Sequence, residues 1–272
     1  MAQIRLTDAS TLYLRSVKLT IIPKAGTPKE ITDLRIAFEC VKTNESKPNN
    51  AKVSAWNLSE NTRSSLEGKG GRLALDAGYV HSIATLFRGD IVKVTHRSEP
   101  PDIITEIEVK DGGNRFRNAR IDKGYPPGIR TRKVFEDLAQ EMSLSQSSLV
   151  GVPNTEYANG LTLSGYARDQ LDMLAKKNKL EWSIQDETLQ IIPKLSWSLD
   201  DFVKLTPETG LVGSPSKTDK GVKFESLLQP RLRPGRRVQI ESKFLKGIYK
   251  IRKVRHAGDS LEGEYRSICE GT

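Results

Sequence analysis

The 272-residue chain carries 43 Lys and Arg against 34 Asp and Glu, a formal net charge of +9, 36% hydrophobic residues and two cysteines. That length accommodates two average domains with a sizeable core, so no disulfide staple is required. Cys40 and Cys269 show no CxxC or Cys/His spacing, which excludes a zinc-finger or disulfide-scaffold reading and leaves reduced thiols; residues 1–10 lack the apolar stretch of a secretory signal and nowhere do about 18 apolar residues run together, which points to a soluble chain made in a cytoplasm, with no membrane anchor.

The first 110 residues read as strands with period-two alternation: Val17-Leu19-Ile21, Leu34-Ile36-Phe38-Cys40, Leu73-Leu75-Ala77-Tyr79, Val92-Val94 and Ile103-Thr105-Ile107-Val109. Turn signals at Pro23–Pro28, Asn44–Asn50, Gly68–Gly71 and Glu99–Asp102 separate them. One short helix interrupts, with Ser59 as its N-cap and Leu66 in its last turn. Such spacing predicts a small barrel or sandwich over 1–123.

Near Gly124 the pattern changes. Gly124-Tyr125-Pro126-Pro127-Gly128 reads as a stiff loop, followed by a helix capped by Thr131 with Val134, Phe135, Leu138, Ala139 and Met142 on one stripe. A Ser-rich loop spans Ser143–Gly160. A second helix starts at a Ser164 cap, buries Ala167, Leu171, Leu174 and Ala175, and ends near Lys176-Lys177-Asn178. A hairpin follows, Leu180–Ile184 and Thr188–Ile192, turned at Gln185-Asp186-Glu187. The segment 124–195 therefore reads as a small α+β domain.

Strand signals return over 196–272: Val203–Leu205, Val222–Leu228, Val238–Ile240, and a terminal hairpin of Ile248–Val254 and Leu261–Ile268 joined through His256–Ser260. The fold class expected is mainly β with an α+β insertion, two small β-barrels flanking the α+β domain. No repeat of short fixed period is present, although the two β-parts fit a distant duplication of architecture.

Patterns that carry chemistry are sparse. His81, His96 and His256 lack metal-ligand spacing and read as surface or strand-edge histidines. Gly68-Lys69-Gly70-Gly71-Arg72 lacks the full phosphate-loop pattern and precedes a strand, so it reads as a turn. Asp200-Asp201 reads as a solvated turn. Glu106 and Glu108 occupy the outward half of a strand, and Glu136 and Asp137 the polar face of a helix, which leaves only scattered carboxylates for a glycan hydrolase. No enzyme, cofactor or metal is expected.

Charge is unevenly placed. Lys220–His256 holds 12 Lys or Arg against two Glu, so the entire positive excess lies in the last quarter. Arg231, Arg233, Arg236 and Arg237 cluster in a Pro/Gly loop, and Lys250, Arg252 and Arg255 follow on a strand. A nucleic-acid-binding barrel is the alternative function, but base stacking wants aromatics on the basic face, and only Phe224, Phe244 and Tyr249 are near. A face that docks an acidic neighbour or lines a DNA channel fits better.

The unit Leu34–Lys42, then Pro48–Val53, then Trp56–Arg63, resembles the opening of bacteriophage tail baseplate hub proteins. Ala77-Gly-Tyr, Leu86–Ile91, Asp111-Gly, Ala119–Lys123, Asp169–Leu174, Trp182 and Arg231–Val238 follow in the order of that family. The resemblance implies two tail-tube-like barrels with a small α+β domain between them. It implies a homotrimer whose six barrels form a pseudo-hexameric ring, joining the tail tube protein to the central spike protein among other baseplate proteins, with DNA only as cargo in the channel. It implies a structural virion protein without catalytic residues; the sequence shows no fused lysozyme or peptidase segment and is short for that family.

Overall fold

The computed structural model describes residues 12–24, 27–66, 70–146, 149, 151–194, 196–197 and 202–272. Asp200, Asp201, Gly68 and Lys69 lie outside the described residues. The chain is mainly β, and its residues divide into two compact units: 1–43, 49–110 and 200–272 in one, 44–48 and 111–199 in the other.

The first unit opens with β1 (Arg15–Ile22), β2 (Lys29–Ile31), β3 (Ile36–Thr43), β4 (Asn50–Trp56), helix α1 (Glu60–Leu66), β5 (Arg72–Tyr79), β6 (Ala84–Glu99) and β7 (Asp102–Lys110). The four longer alternating runs of the sequence are strands, and each turns its apolar set inward. Val17, Leu19, Ile21, Ile36, Phe38, Cys40, Leu73, Leu75, Ile107 and Val109 share one core. Ser59 caps α1, its Oγ accepting the Thr62 amide at 3.3 Å, and Leu58 and Leu66 seat the helix on that core. β4 escapes the sequence reading because its inward positions are Ala51, Val53 and Ala55, too small to mark a strand against an Asn/Lys background.

The second unit contains α2 (Gly113–Asn118), β8 (Arg120–Tyr125), β9 (Ile129–Arg130), α3 (Thr131–Glu141), β10 (Ser145–Gln146), β11 (Glu156–Tyr157), β12 (Leu161–Tyr166), α4 (Ala167–Lys177), β13 (Leu180–Gln185) and β14 (Thr188–Pro193). α3 and α4 bury the predicted stripes. Their caps differ from expectation. Arg130, not Thr131, is the N-cap of α3; the Thr131 hydroxyl donates instead to the Thr155 carbonyl at 2.9 Å. Ser164 lies inside β12, whose ladder with β8 runs on to Tyr166, the N-cap of α4. That ladder also pairs Gly124 with Thr162, so the stiff loop begins only at Pro126.

The β13–β14 hairpin turns on Asp186 and Glu187, at φ +53° and +65°. Two left-handed residues in a two-residue loop normally call for Asn-Gly. Here buried Asp111 compensates: its carboxylate accepts the Asp186 amide at 2.6 Å and the Glu187 amide at 2.8 Å.

The chain then returns to the first unit as β15 (Val203–Leu205), a 3-10 turn over Pro207–Thr209, β16 (Leu211–Thr218), β17 (Gly221–Leu227), β18 (Arg237–Glu241), β19 (Lys246–Asp259) and β20 (Tyr265–Gly271). These strands enclose a separate core of Val203, Leu205, Val222, Phe224, Val238, Ile240, Ile251, Val254 and Cys269. The terminal hairpin is shifted from its predicted place. Residues His256–Asp259 extend β19, the turn spans 260–264, and Leu261 is exposed.

One sheet carries both cores, in the order β16-β17-β20-β19-β3-β4-β7-β6-β5-β1-β2, with β18 beside β19 and β15 beside β18. The pairings of the described strands form an open path. Its stretch from β20 to β1 nevertheless curls: the Tyr265 hydroxyl accepts the Gly78 amide at 3.0 Å and donates to the Gly78 carbonyl at 2.6 Å, and the Arg15 guanidinium donates to the Asp259 and Gly263 carbonyls at 2.8 and 2.7 Å. Side chains thus tie the β1/β5 end of the curl to the β19–β20 end.

Candidate functional site: the basic loop and the strand that joins two cores

The join between the cores is β19 against β3, antiparallel over Lys253–Asp259 and Ala37–Thr43. Gly258 makes it possible: a Cβ there would sit 2.6 Å from the Tyr265 ring and 2.7 Å from the Phe38 ring. Beside it lies a buried polar cluster. Lys42 is 1% exposed, with its ammonium 5.5 Å from the centre of the Phe87 ring. His256, expected at the surface or a strand edge, is 1% exposed and stands opposite Cys40 of β3 in the ladder. Its Nδ1 meets Ser267 Oγ at 2.8 Å, and that oxygen also accepts the Gln229 amide at 2.9 Å. Burial, reinforced by the positive charges of Lys42 and Arg233, pushes the imidazole down to about 3, so it is neutral at physiological pH.

The predicted basic residues gather on two neighbouring segments. Arg231, Arg233 and Arg236 stand in the β17–β18 connection, and Arg237 opens β18 directly across from Lys250 of β19. That connection is braced by the backbone: the Gly235 amide donates to the Ile251 carbonyl, and the Ile251 amide to the Arg236 carbonyl, both at 2.8 Å. Arg233 donates to the Thr85 carbonyl at 2.7 Å, tying the loop to β6. Arg237 stacks its guanidinium 4.8 Å from the Phe202 ring, and Lys250 is buried. Arg252 projects to solvent at the bulge of β19. Arg255 lies apart, donating to Glu39 at 3.0 Å and Glu264 at 2.9 Å; these partners, Glu39 foremost, raise its already high pKa.

The carboxylates considered for acid/base chemistry are held in ion pairs. Glu106 meets Lys52 at 2.8 Å, and that hydrogen bond lowers its pKa. Glu108 meets Lys93 at 3.7 Å. Asp137 is buried rather than on a polar face; burial raises its pKa, but hydrogen bonds from Lys123 at 2.6 Å and Lys133 at 2.9 Å outweigh this and hold it low. Among the described residues no three His, Cys, Asp or Glu side chains gather to hold a metal, and no helix is long and apolar enough to cross a membrane.

A profile of the baseplate hub gp41 family matches residues 32–263. The fold is similar to that of the 43 kDa tail protein of prophage MuSo2 from Shewanella oneidensis, with TM-score 0.65 and 7% identity over 94% of this chain and 96% of that one. It is similar to the tail protein from Neisseria meningitidis MC58, with TM-score 0.61 and 11% identity over 96% and 97%. It is also similar to the E. coli c3393 protein, a component of the type VI secretion system that resembles T4 tail proteins gp27 and gp5, with TM-score 0.61 and 11% identity over 92% and 76%. Among curated proteins no sequence match is found.

Proposed function

The chain belongs to the baseplate hub gp41 family, and on that premise we propose that it is a structural virion subunit whose copies close into a ring joining the tail tube to the central spike. The family gives the baseplate role. The observation that carries the ring is the sheet itself: two separate cores in one chain, each wrapped by strands of the same sheet and joined edge to edge through β19 and β3. Each core with its strands is read as one tail-tube-like barrel, with the α+β domain between them in sequence, the order barrel, insertion and barrel expected over 1–123, 124–195 and 196–272, although residues 111–123 fall in the same compact unit as the insertion. Three copies then supply six barrels, which matches a hexameric tube on one side and a trimeric spike on the other. The strand edges left open at the ends of the path are satisfied by association, and repeated head-to-tail contacts close into rings.

The basic loop and Arg252 are assigned to contact with an acidic neighbouring subunit or with DNA passing through the channel. Tail-tube, spike and other baseplate proteins are the partners. The experiment is native mass measurement and particle imaging of the full chain, alone and with its tube and spike partners. Trimeric rings are expected; a chain that stays monomeric at high concentration and enters no ring with those partners refutes the proposal.

A further inference from the structure

Strands β6 and β19 are two copies of one device. Each is long, at 16 and 14 residues. Each pairs its first part with the preceding strand, β5 along Ala84–Asp90 and β18 along Lys246–Lys250. Each then bulges, between Ile91 and Lys93 or between Ile251 and Lys253, and continues beside the next strand, β7 or β20. The sequence repeats at the bulge: Ile91-Val-Lys-Val-Thr-His96 and Ile251-Arg-Lys-Val-Arg-His256 agree at four of six positions. Even the cross-strand partners match. Lys93 meets Glu108 at 3.7 Å and Lys253 meets Glu270 at 3.8 Å; His96 Nδ1 meets Thr105 Oγ1 at 3.0 Å and His256 Nδ1 meets Ser267 Oγ at 2.8 Å.

The two copies differ in what covers them. The outer edge of β19 is paired with β3 and His256 is buried, whereas among the described residues no strand lies on the outer edge of β6 beyond Ile91, and His96 is exposed. That edge is competent to pair. The Ile103 amide and carbonyl are bonded to Asn57 on the far side of β7, so alternation turns the backbone groups of its partner Ser98, and of His96, outward. The counterpart of β3 is also fixed by topology. The order β3-β4-β7-β6 repeats as β16-β17-β20-β19, and the far edge of β16 ends the sheet.

We propose that β16 of a second copy of this chain pairs antiparallel with the outer edge of β6, reproducing between chains the β3–β19 seam found within one. Following the register through β20 and β17 makes Lys217 the counterpart of Cys40, which faces His256, so Lys217 of one copy stands opposite His96 of the next, with Ser216 and Thr218 opposite Arg97 and Thr95. The ladder is short, because Pro215 has no amide to donate. Each copy offers one β6 edge and one β16 edge, a head-to-tail contact that repeats around a ring. The inference rests on the ring proposed above for closure, and names the seam.

The test is disulfide trapping in the full chain carrying His96→Cys and Lys217→Cys, alongside each single substitution and the pair Thr95→Cys with Lys217→Cys, whose side chains point to opposite faces. Facing strand residues stand about 5.5 Å apart, within disulfide range. Mild oxidation is expected to move most of the 96/217 chain into covalent dimers and larger species that reducing agent reverses, with several-fold less in the controls. A ring in native mass measurement without 96–217 linkage overturns the seam while leaving the ring standing. A chain that is monomeric throughout overturns both. If the His96→Cys chain links only to a different tail protein, the seam is overturned and the β6 edge belongs to that protein instead.

Discussion

Acid is the perturbation that reads the join between the two cores. In the unfolded chain His256 titrates near 6.5, but in the fold it stays neutral down to about 3. Between those values the unfolded chain binds the extra proton, so this contribution to stability is complete above pH 6.5 and is lost as pH falls toward 3. At about 1.4 kcal/mol per pH unit, the loss is about 2 kcal/mol at pH 5. Carboxylates such as Asp137 destabilise the fold in the same direction, so the measurement must be a difference. Urea unfolding followed by circular dichroism at about pH 7.5 and pH 5 is compared between the unmodified chain and His256→Gln, which fits the site but does not titrate. The unmodified chain is expected to lose about 2 kcal/mol more than the variant. Equal losses in the unmodified chain and His256→Gln would refute the claim that His256 is held neutral by burial.

Asp111→Ala removes the acceptor for both amides of the Asp186-Glu187 turn and is expected to cost about 2–3 kcal/mol, read as a lowered thermal midpoint. Glu187→Gly relieves a left-handed side-chain-bearing position and is expected to stabilise the same hairpin by about 0.5–1 kcal/mol, the opposite sign in the same assay. Gly258→Ala drives a methyl into Phe38 and Tyr265; a loss of about 1–3 kcal/mol is expected in urea unfolding, with slowed amide exchange in β3 lost first.

Strands built on large apolar residues were legible directly: β1, β3, β5 and β7 show the alternation that the fold buries. Strands built on alanine or glycine were not, since Ala51 and Ala55 in β4 and Gly165 in β12 leave no period-two contrast. Caps failed where tertiary pairing outbid local chemistry, as when the β8 ladder claimed Ser164. At the basic face, local sequence correctly located the cluster but not its commitments. The partners of Arg233 and Arg255, at Thr85 and Glu39, are far off in sequence, as is β3, which pairs with the His256 strand and has no counterpart beside His96 among the described residues. The repeated Ile-x-Lys-Val-x-His string was visible in principle, but so short a string carries no weight until the matching bulges and partner strands are known.

The sharing of β19 also dictates a timetable for synthesis. The first core includes Leu228 and Tyr265, and β3 receives its second neighbour only from residues 253–259. A ribosome that has delivered β1 to β7 has therefore released a half whose core lacks Leu228 and Tyr265 and whose β3 edge is bare until residues 253–259 emerge. During that interval the nascent edge is open to the wrong strand, including the same edge on a neighbouring polysome. Completion of the β19–β20 hairpin is thus the step that licenses the β1–β7 half to become native.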